Sequence, residues 1–281
     1  MPIYPILSQE EKQRMTELQE QLFDQFKWHF PDPLAPKTVV ILPGLSLDPE
    51  ILSKLSGVIH YEERLLCMLL LLRMPRTRII YLSSVPIDEV IVDYYLHLIP
   101  GITGLHARNR LVLLNCNDAS SRALTEKVLS RPRLIQQIKS NIPSGHVAHM
   151  VAFNVTNLEE KLAVELDIPV YGCASSLSFW GSKSGSRELF RRAGLQVPPG
   201  FENLNSLADM AEAIKKLRHE DPLLRRVVIK LNEGFSGDGN AIYDLPAHEE
   251  ASVDLIRQNL DIVAKDMTVA VFEEKLQFMG G

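Results

Sequence analysis

The stretch RRVVIKLNEGFSGDGNAIYDL, Arg225–Leu245, packs Gly234, Gly237 and Gly239 into six residues, behind an apolar run that ends at Lys230. Three readings compete for it. A dinucleotide fingerprint needs G-x-G-x-x-G between a strand and a helix, so that the pyrophosphate meets the helix N-terminus. Here the order is G-x-x-G-x-G, and the following NAIYDL reads as a strand. The dinucleotide reading, and with it a Rossmann-like dehydrogenase, fails on spacing and on context. A Walker loop, G-x-x-x-x-G-K-[ST], is absent as well. A hairpin loop remains, since Gly and Asn tolerate positive φ. So does a phosphate flap, in which Lys230 neutralises charge that backbone N–H groups cover. Lysines at strand ends are mostly solvated, so residues elsewhere must decide.

Upstream, strand and helix signals alternate. TVVILPG, RIIYLSS, RLVLLNCND, HMVAFNV and IPVYG read as five short apolar strands. Between them PEILSKLSGVIHYEERLLCMLLLLRMP reads as one helix, IDEVIVDYYLHLIPG as another, SRALTEKVLSRPRLIQQIKSN as a helix broken at Pro132, and TNLEEKLAVELD as a helix with a Thr156/Glu159 capping box. Strands that are apolar throughout and separated by helices indicate a mostly parallel sheet covered on both faces. The fold class expected is therefore α/β. A Rossmann-like domain spans 37–179, and an α+β segment, 180–281, contains the opening stretch. Residues 1–36 read as an N-terminal helix and a Pro-rich linker. Ser8 and Glu11 form its capping box, and Met15, Leu18, Leu22 and Phe26 share one face. That stripe is only about three turns long, which favours packing on its own chain over dimerisation.

Bulk properties narrow the function. The 281 residues carry a formal net charge of -5, so nothing favours nucleic acid as a partner. Cys67, Cys116 and Cys173 are far apart, which argues against a zinc site or a disulfide framework and fits a reducing, cytoplasmic setting. The longest apolar run, Leu65 to Leu72, falls far short of the roughly 20 residues that cross a bilayer, and no secretory signal opens the chain.

A second lysine decides between hairpin and flap. In WGSKSGSRELFRRAGLQVPPG, Lys183 opens a helix that ends at the Gly/Pro stop, with Ser182 placed to cap it. This segment and the opening stretch, in this order and at this separation, resemble the ATP-grasp superfamily. Together with HYEERLLCMLLLLRMP, LTEKVLSRPRLI, GSKSGSRELF and KLNEGFSGDGNA, they look like its peptide-ligase branch related to the pheganomycin-type ligase. Proteins of the IQ-motif-containing H type look similar over the same region, although no IQ consensus is visible: LIQQIKSNIPS lacks the Arg/Gly pattern that should follow. The likeness runs from about Val39 to about Asp244.

The resemblance implies a pre-ATP-grasp domain followed by the first ATP-grasp subdomain. It implies that Lys183 and Lys230 reach the phosphates of ATP, and that Gly234, Phe235, Ser236, Gly237, Asp238, Gly239 and Asn240 form the flap above them. It further implies a carboxylate–amine ligase that works through an acylphosphate with ATP and Mg2+, on an acid and an amine the sequence does not identify. In the family, the metal-binding carboxylate and amide and the adenine hinge lie in the second half of the fold. This sequence ends at FEEKLQFMGG, and Glu233, Asp238, Glu273 and Glu274 match none of the metal positions. The expectation is a fragment without metal ligands, with little ligase activity alone, completed by a continuing chain or a protein partner. The alternative is a non-catalytic nucleotide-binding or interaction module of a larger protein.

Other residues are weaker candidates. His146 and His149 lack a visible third metal ligand. Glu62, Glu63 and Arg64 read as an exposed turn with ion pairs, or as a substrate or interdomain contact. Ser83, Ser84, Asn115, Asn117 and Asp118 end strands, where α/β domains place ligand loops, but such ends are also ordinary turn chemistry. No G-x-S-x-G is present, which disfavours a serine hydrolase.

Overall fold

A computed structural model describes residues 7–281 apart from Asp48, Phe235, Ser236, Asp238 and 247–249, and without the side chains of 49–51. The chain divides into two compact units, one ending at Ser175 and the other spanning Ser176–Gly281.

The first unit is built on five parallel strands, β1 (Lys37–Leu42), β2 (Thr77–Ser83), β3 (Leu111–Asn115), β4 (Val147–Ala152) and β5 (Val170–Tyr171), in the order β3-β2-β1-β4-β5. Side chains alternate between the faces of a strand. Val40, Leu42, Ile80, Leu82 and Met150 therefore build one core, and Val39, Ile41, Ile79 and Tyr81 build the other. Both sets are fully buried, which is why the strands read as continuous apolar runs. α5 (Leu124–Leu129), α6 (Pro132–Ser140) and α7 (Asn157–Leu166) supply the first core with Val128, Ile138 and Leu162. Pro132 sits in the first turn of α6, where its missing N–H costs nothing. The second core is closed by α3 (Glu89–His97), α4 (Gly104–Arg108) and the segment before β2.

That segment departs from the single helix the sequence implies. α2 (Pro49–Lys54) stops, Gly57 takes φ 66°, and Val58–Arg73 winds as a 3-10 helix. Such helices have three residues per turn and are usually short. The buried residues explain this one: Leu66, Leu69 and Leu72 recur every third position and form a single straight row against the sheet.

α1 (Gln9–Asp24) has the Ser8/Glu11 capping box and packs on α7 and β5 of its own unit. Its stripe is shorter than the periodicity implies. Met15 and Leu18 are buried, but Gln25–His29 winds as a π-helical turn. Phe26 thereby stacks on Phe30, at 4.3 Å between ring centroids, and on Tyr171 at 5.1 Å.

The second unit opens with α8 (Ser178–Gly181) and α9 (Lys183–Arg192). It continues through α10 (Leu207–Glu220), β6 (Arg226–Lys230), β7 (Asn240–Asp244), α11 (Val253–Asn259), β8 (Asp261–Ile262) and α12 (Val269–Met279). β6, β7 and β8 form an antiparallel sheet in that order. Met210, Ile214, Ile229, Tyr243, Ile256, Phe272 and Leu276 make its core. Among the described residues no helix is long and apolar enough to cross a membrane.

Candidate phosphate-binding site

β6 and β7 pair so that Lys230 stands opposite Asn240, and the glycine-rich segment connects them. The stretch is thus a β-hairpin, and the expected flap is its connecting loop. Its glycines do two different jobs. Gly237 has φ 94°, a conformation L side chains avoid. Gly234 and Gly239 are needed for close approach: a Cβ on Gly234 would lie 2.8 Å from the Gly239 Cα, and one on Gly239 would lie 2.7 Å from the Gly234 Cα. Among the described residues the two arms of the loop meet through backbone, with Leu231 N donating to Gly239 O at 2.7 Å. Phe235, Ser236 and Asp238 of the expected flap lie outside the described residues.

Lys183 is the first residue of α9, and Ser182 caps the helix by accepting from Gly185 N. A cation at a helix N-terminus faces the positive end of the dipole. The half-buried Lys183 ammonium is held there by backbone carbonyls of the loop: Leu231 O at 2.7 Å, Gly234 O at 3.3 Å and, more weakly, Asn232 O at 3.5 Å. Burial pushes its pKa below the usual lysine value, and Lys230 adds to the fall while Glu233 opposes it. Lys183, Lys230, Gly234, Gly239 and Asn240 are therefore gathered around one loop. Neither lysine forms an ion pair with a carboxylate among the described residues. The exposed Lys230 acts on Lys183 through its charge, so two positive charges stand near the start of α9, a site of positive potential suited to an anion.

Two residues here were missed in the sequence. Asn232 Oδ1 accepts from Ser184 N at 2.9 Å, and its Nδ2 donates to Met279 O at 3.1 Å. Ser184 is buried, and its Oγ accepts from Asn203 N. Asn232 lies inside the quoted motif, between Lys230 and Gly234, but an asparagine in a glycine-rich loop reads as turn chemistry. With Ser182 and Asn232 each binding an N–H of the first turn, the anion-attracting groups left at this end are chiefly side-chain ammoniums.

The first unit treats its candidates differently. Glu62 is not part of an exposed turn. The 3-10 winding lays it over the end of β2, where its carboxylate accepts from Ser84 N at 2.5 Å and Ser84 Oγ at 2.6 Å. Lys127 Nζ donates to the same Ser84 Oγ at 2.8 Å and to Ser120 O at 2.7 Å. Burial drives Glu62 up and Lys127 down in pKa, each toward its neutral form. Ser84 is thus spent on an internal network. Glu63 pairs with His60, and Arg64 stacks on the Phe153 ring at 3.8 Å. Ser83 Oγ donates to Val85 O, while Asn115 Oδ1 accepts from Asn117 N, as strand-end turn residues do. Hydrogen bonds from Ser120, then from Arg131 and Arg122, hold Asp118 well below the usual carboxylate range. His146 bonds Thr38 Oγ1 at 3.0 Å, and His149 is buried beside Phe26 and Phe30. Among the described residues no group of three His, Cys, Asp or Glu side chains could hold a metal ion.

The strand order reverses between β1 and β4, where doubly wound sheets open a ligand crevice. Here that place holds an internal carboxylate. Glu159, in the first turn of α7, accepts from Ser46 Oγ at 2.5 Å, Thr156 N at 2.7 Å, Thr156 Oγ1 at 2.6 Å and Thr125 Oγ1. Asn154 ties the same loop down through Ser46 N. A pyrophosphate at this helix N-terminus would meet the Glu159 carboxylate.

A lysine opening a helix, a second closing a strand and a glycine loop following it are the features on which the second unit resembles the ATP-grasp class. Residues 175–274 match the family model of the IQCH-like ATP-grasp domain. Among curated proteins, the chain is 29% identical over 213 residues to L-propargylglycine--L-glutamate ligase of Streptantibioticus cattleyicolor, covering 73% of this chain and 43% of that protein. It is 26% identical over 228 residues to IQ motif-containing protein H of Danio rerio, covering 75% of this chain and 21% of that protein. The chain therefore spans less than half the length of either relative. No solved structure matches it.

Proposed function

We propose that the second unit binds the phosphates of ATP, and that the chain is the ATP-binding portion of a carboxylate–amine ligase. The observation that carries this reading is the meeting of Lys183 and Lys230 at one glycine loop with no carboxylate paired to either. In the proposed reaction a substrate carboxylate attacks the γ-phosphorus of ATP, giving an acylphosphate and ADP. An amine then attacks the acyl carbon and expels phosphate to leave an amide. Lys183 and Lys230 neutralise phosphate oxygens as charge shifts toward the leaving group. The loop from Gly234 to Asn240, with Phe235, Ser236 and Asp238 as part of it, keeps water from the acylphosphate.

Among the described residues Glu233 is a lone carboxylate beside the two lysines, the loop carbonyls are taken by the Lys183 ammonium, and no cluster of three acidic, His or Cys side chains could hold magnesium. Magnesium is accordingly assigned to the nucleotide, and no step is routed through a protein-bound ion. The domain assignment follows the same reading: 37–179 as the pre-ATP-grasp domain and 180–281 as the first ATP-grasp subdomain. With less than half the ligase relative's length represented, these 281 residues alone are expected to turn over little or no substrate.

Titration calorimetry with ATP and Mg2+ tests the site. Binding is expected, and Lys230→Ala should weaken it about tenfold, equivalent to about 1.4 kcal/mol. Unchanged affinity in Lys230→Ala, or in Lys183→Met, would remove the phosphate assignment. The likeness to IQ motif-containing protein H supports a second reading, an interaction module without catalysis. Absence of ATP binding, also in a version extended at the C-terminus, would favour it.

A further inference from the structure

We propose that Asn232 is the positioning residue of this site: its carboxamide pins the first turn of α9 to the junction of β6 and the glycine loop, and so fixes where the Lys183 ammonium stands. The proposal rests on the ATP-site reading for its purpose, and on the geometry alone for its mechanism.

Both ends of the carboxamide are used. Oδ1 takes the Ser184 N–H, one of the donors a helix start leaves unpaired, and Nδ2 reaches Met279 O behind it. The Asn232 backbone N–H donates to Gly280 O at 2.9 Å, which fixes the residue from a third direction. All three carbonyls around Lys183 Nζ belong to Leu231, Asn232 and Gly234, the segment this residue anchors. A lysine needs such an anchor here. Its stem is long and flexible, and the helix dipole drives a cation away from this end. A shift of about 1 Å between α9 and the loop would carry the 2.7 Å contact to Leu231 O beyond hydrogen-bonding distance.

The side chain's identity follows from its partners. A leucine of similar size would leave the Ser184 N–H and Met279 O without this partner. An aspartate would set an oxygen against Met279 O and place a negative charge beside two lysines. Only a group with an acceptor on one side and a donor on the other serves both neighbours.

The test reads Lys183 directly. The lysine side-chain 13Cε signals are titrated by NMR in the ligand-free protein, and the Lys183 signal is assigned by its loss in Lys183→Arg. The wild-type signal is expected to titrate below ordinary lysines, with Glu233 and Lys230 as its charged neighbours. Asn232→Ala should move it back toward the ordinary value and weaken ATP binding about tenfold by calorimetry, with the far-ultraviolet dichroism retained. An unchanged Lys183 titration in folded Asn232→Ala overturns the proposal. Should that variant not fold, Asn232→Leu keeps the side chain's bulk while removing both the acceptor for the Ser184 N–H and the donor to Met279 O, and the same unchanged titration in it overturns the proposal. A wild-type chain that binds no ATP, while Lys183 still responds to Asn232→Ala, would sink the ATP reading and uphold the positioning role.

Discussion

Glu62 and Lys127 meet on one hydroxyl: Ser84 Oγ donates to the carboxylate at 2.6 Å and accepts from the ammonium at 2.8 Å. All three side chains are buried. The carboxylate and the ammonium balance each other across the serine, so removing one strands the other. Lys127→Met is expected to destabilise the chain by about 3–5 kcal/mol in urea unfolding. Glu62→Gln with Lys127→Met should cost less than the sum of the two single changes, since each variant disturbs the same network. Strict additivity would show that the groups act independently.

His149 gives a pH signature. Burial pushes its imidazole down to about 4 from 6.5, and Lys37 adds to the shift. The unfolded chain therefore binds the proton more readily than the folded one. The stability from neutral His149 is complete above about pH 6.5 and is lost as pH falls toward 4. The full window corresponds to about 3 kcal/mol. Urea midpoints at pH 7.5 and 4.5, compared with those of His149→Phe, isolate this group. The wild type should lose more stability than the variant on acidification, and parallel losses would refute the assignment.

Gly234 and Gly239 should not accept a methyl group. Their Cα atoms lie so close that a Cβ on either would meet the other at under 3 Å. Gly239→Ala is expected to push the arms of the loop apart and weaken ATP binding about tenfold or more, about 1.4 kcal/mol per decade. Gly239 is buried and its Cβ would also meet the Leu231 Cβ at 3.1 Å, so the thermal midpoint should fall as well. Calorimetry and a melting curve on the same sample separate the two effects.

The sheet was legible because burial on both faces leaves no polar alternation: Val39 to Leu42 announces a central strand by itself. Capping boxes at Ser8 and Thr156 located two helices for local reasons. The 3-10 segment was not legible as such. Leu65 to Leu72 is apolar at nearly every position, so its three-residue row is visible only once the sheet selects Leu66, Leu69 and Leu72. At the site, Lys183 and Lys230 could be paired from sequence because a family resemblance supplied the link. Asn232 could not, since its partners Ser184 and Met279 lie 48 and 47 residues away. Glu62 was misread for the same reason, as its partner Ser84 is 22 residues distant.

The winding of Val58–Arg73 also sets a length. Sixteen residues at about 2.0 Å each reach about 32 Å, whereas α-helical winding at about 1.5 Å would reach about 24 Å. The segment therefore acts as a spacer as well as a cover. Rewinding it as an α-helix would shorten the path between Gly57 and β2 by about 8 Å, and it would turn Leu66, Leu69 and Leu72 away from a common line.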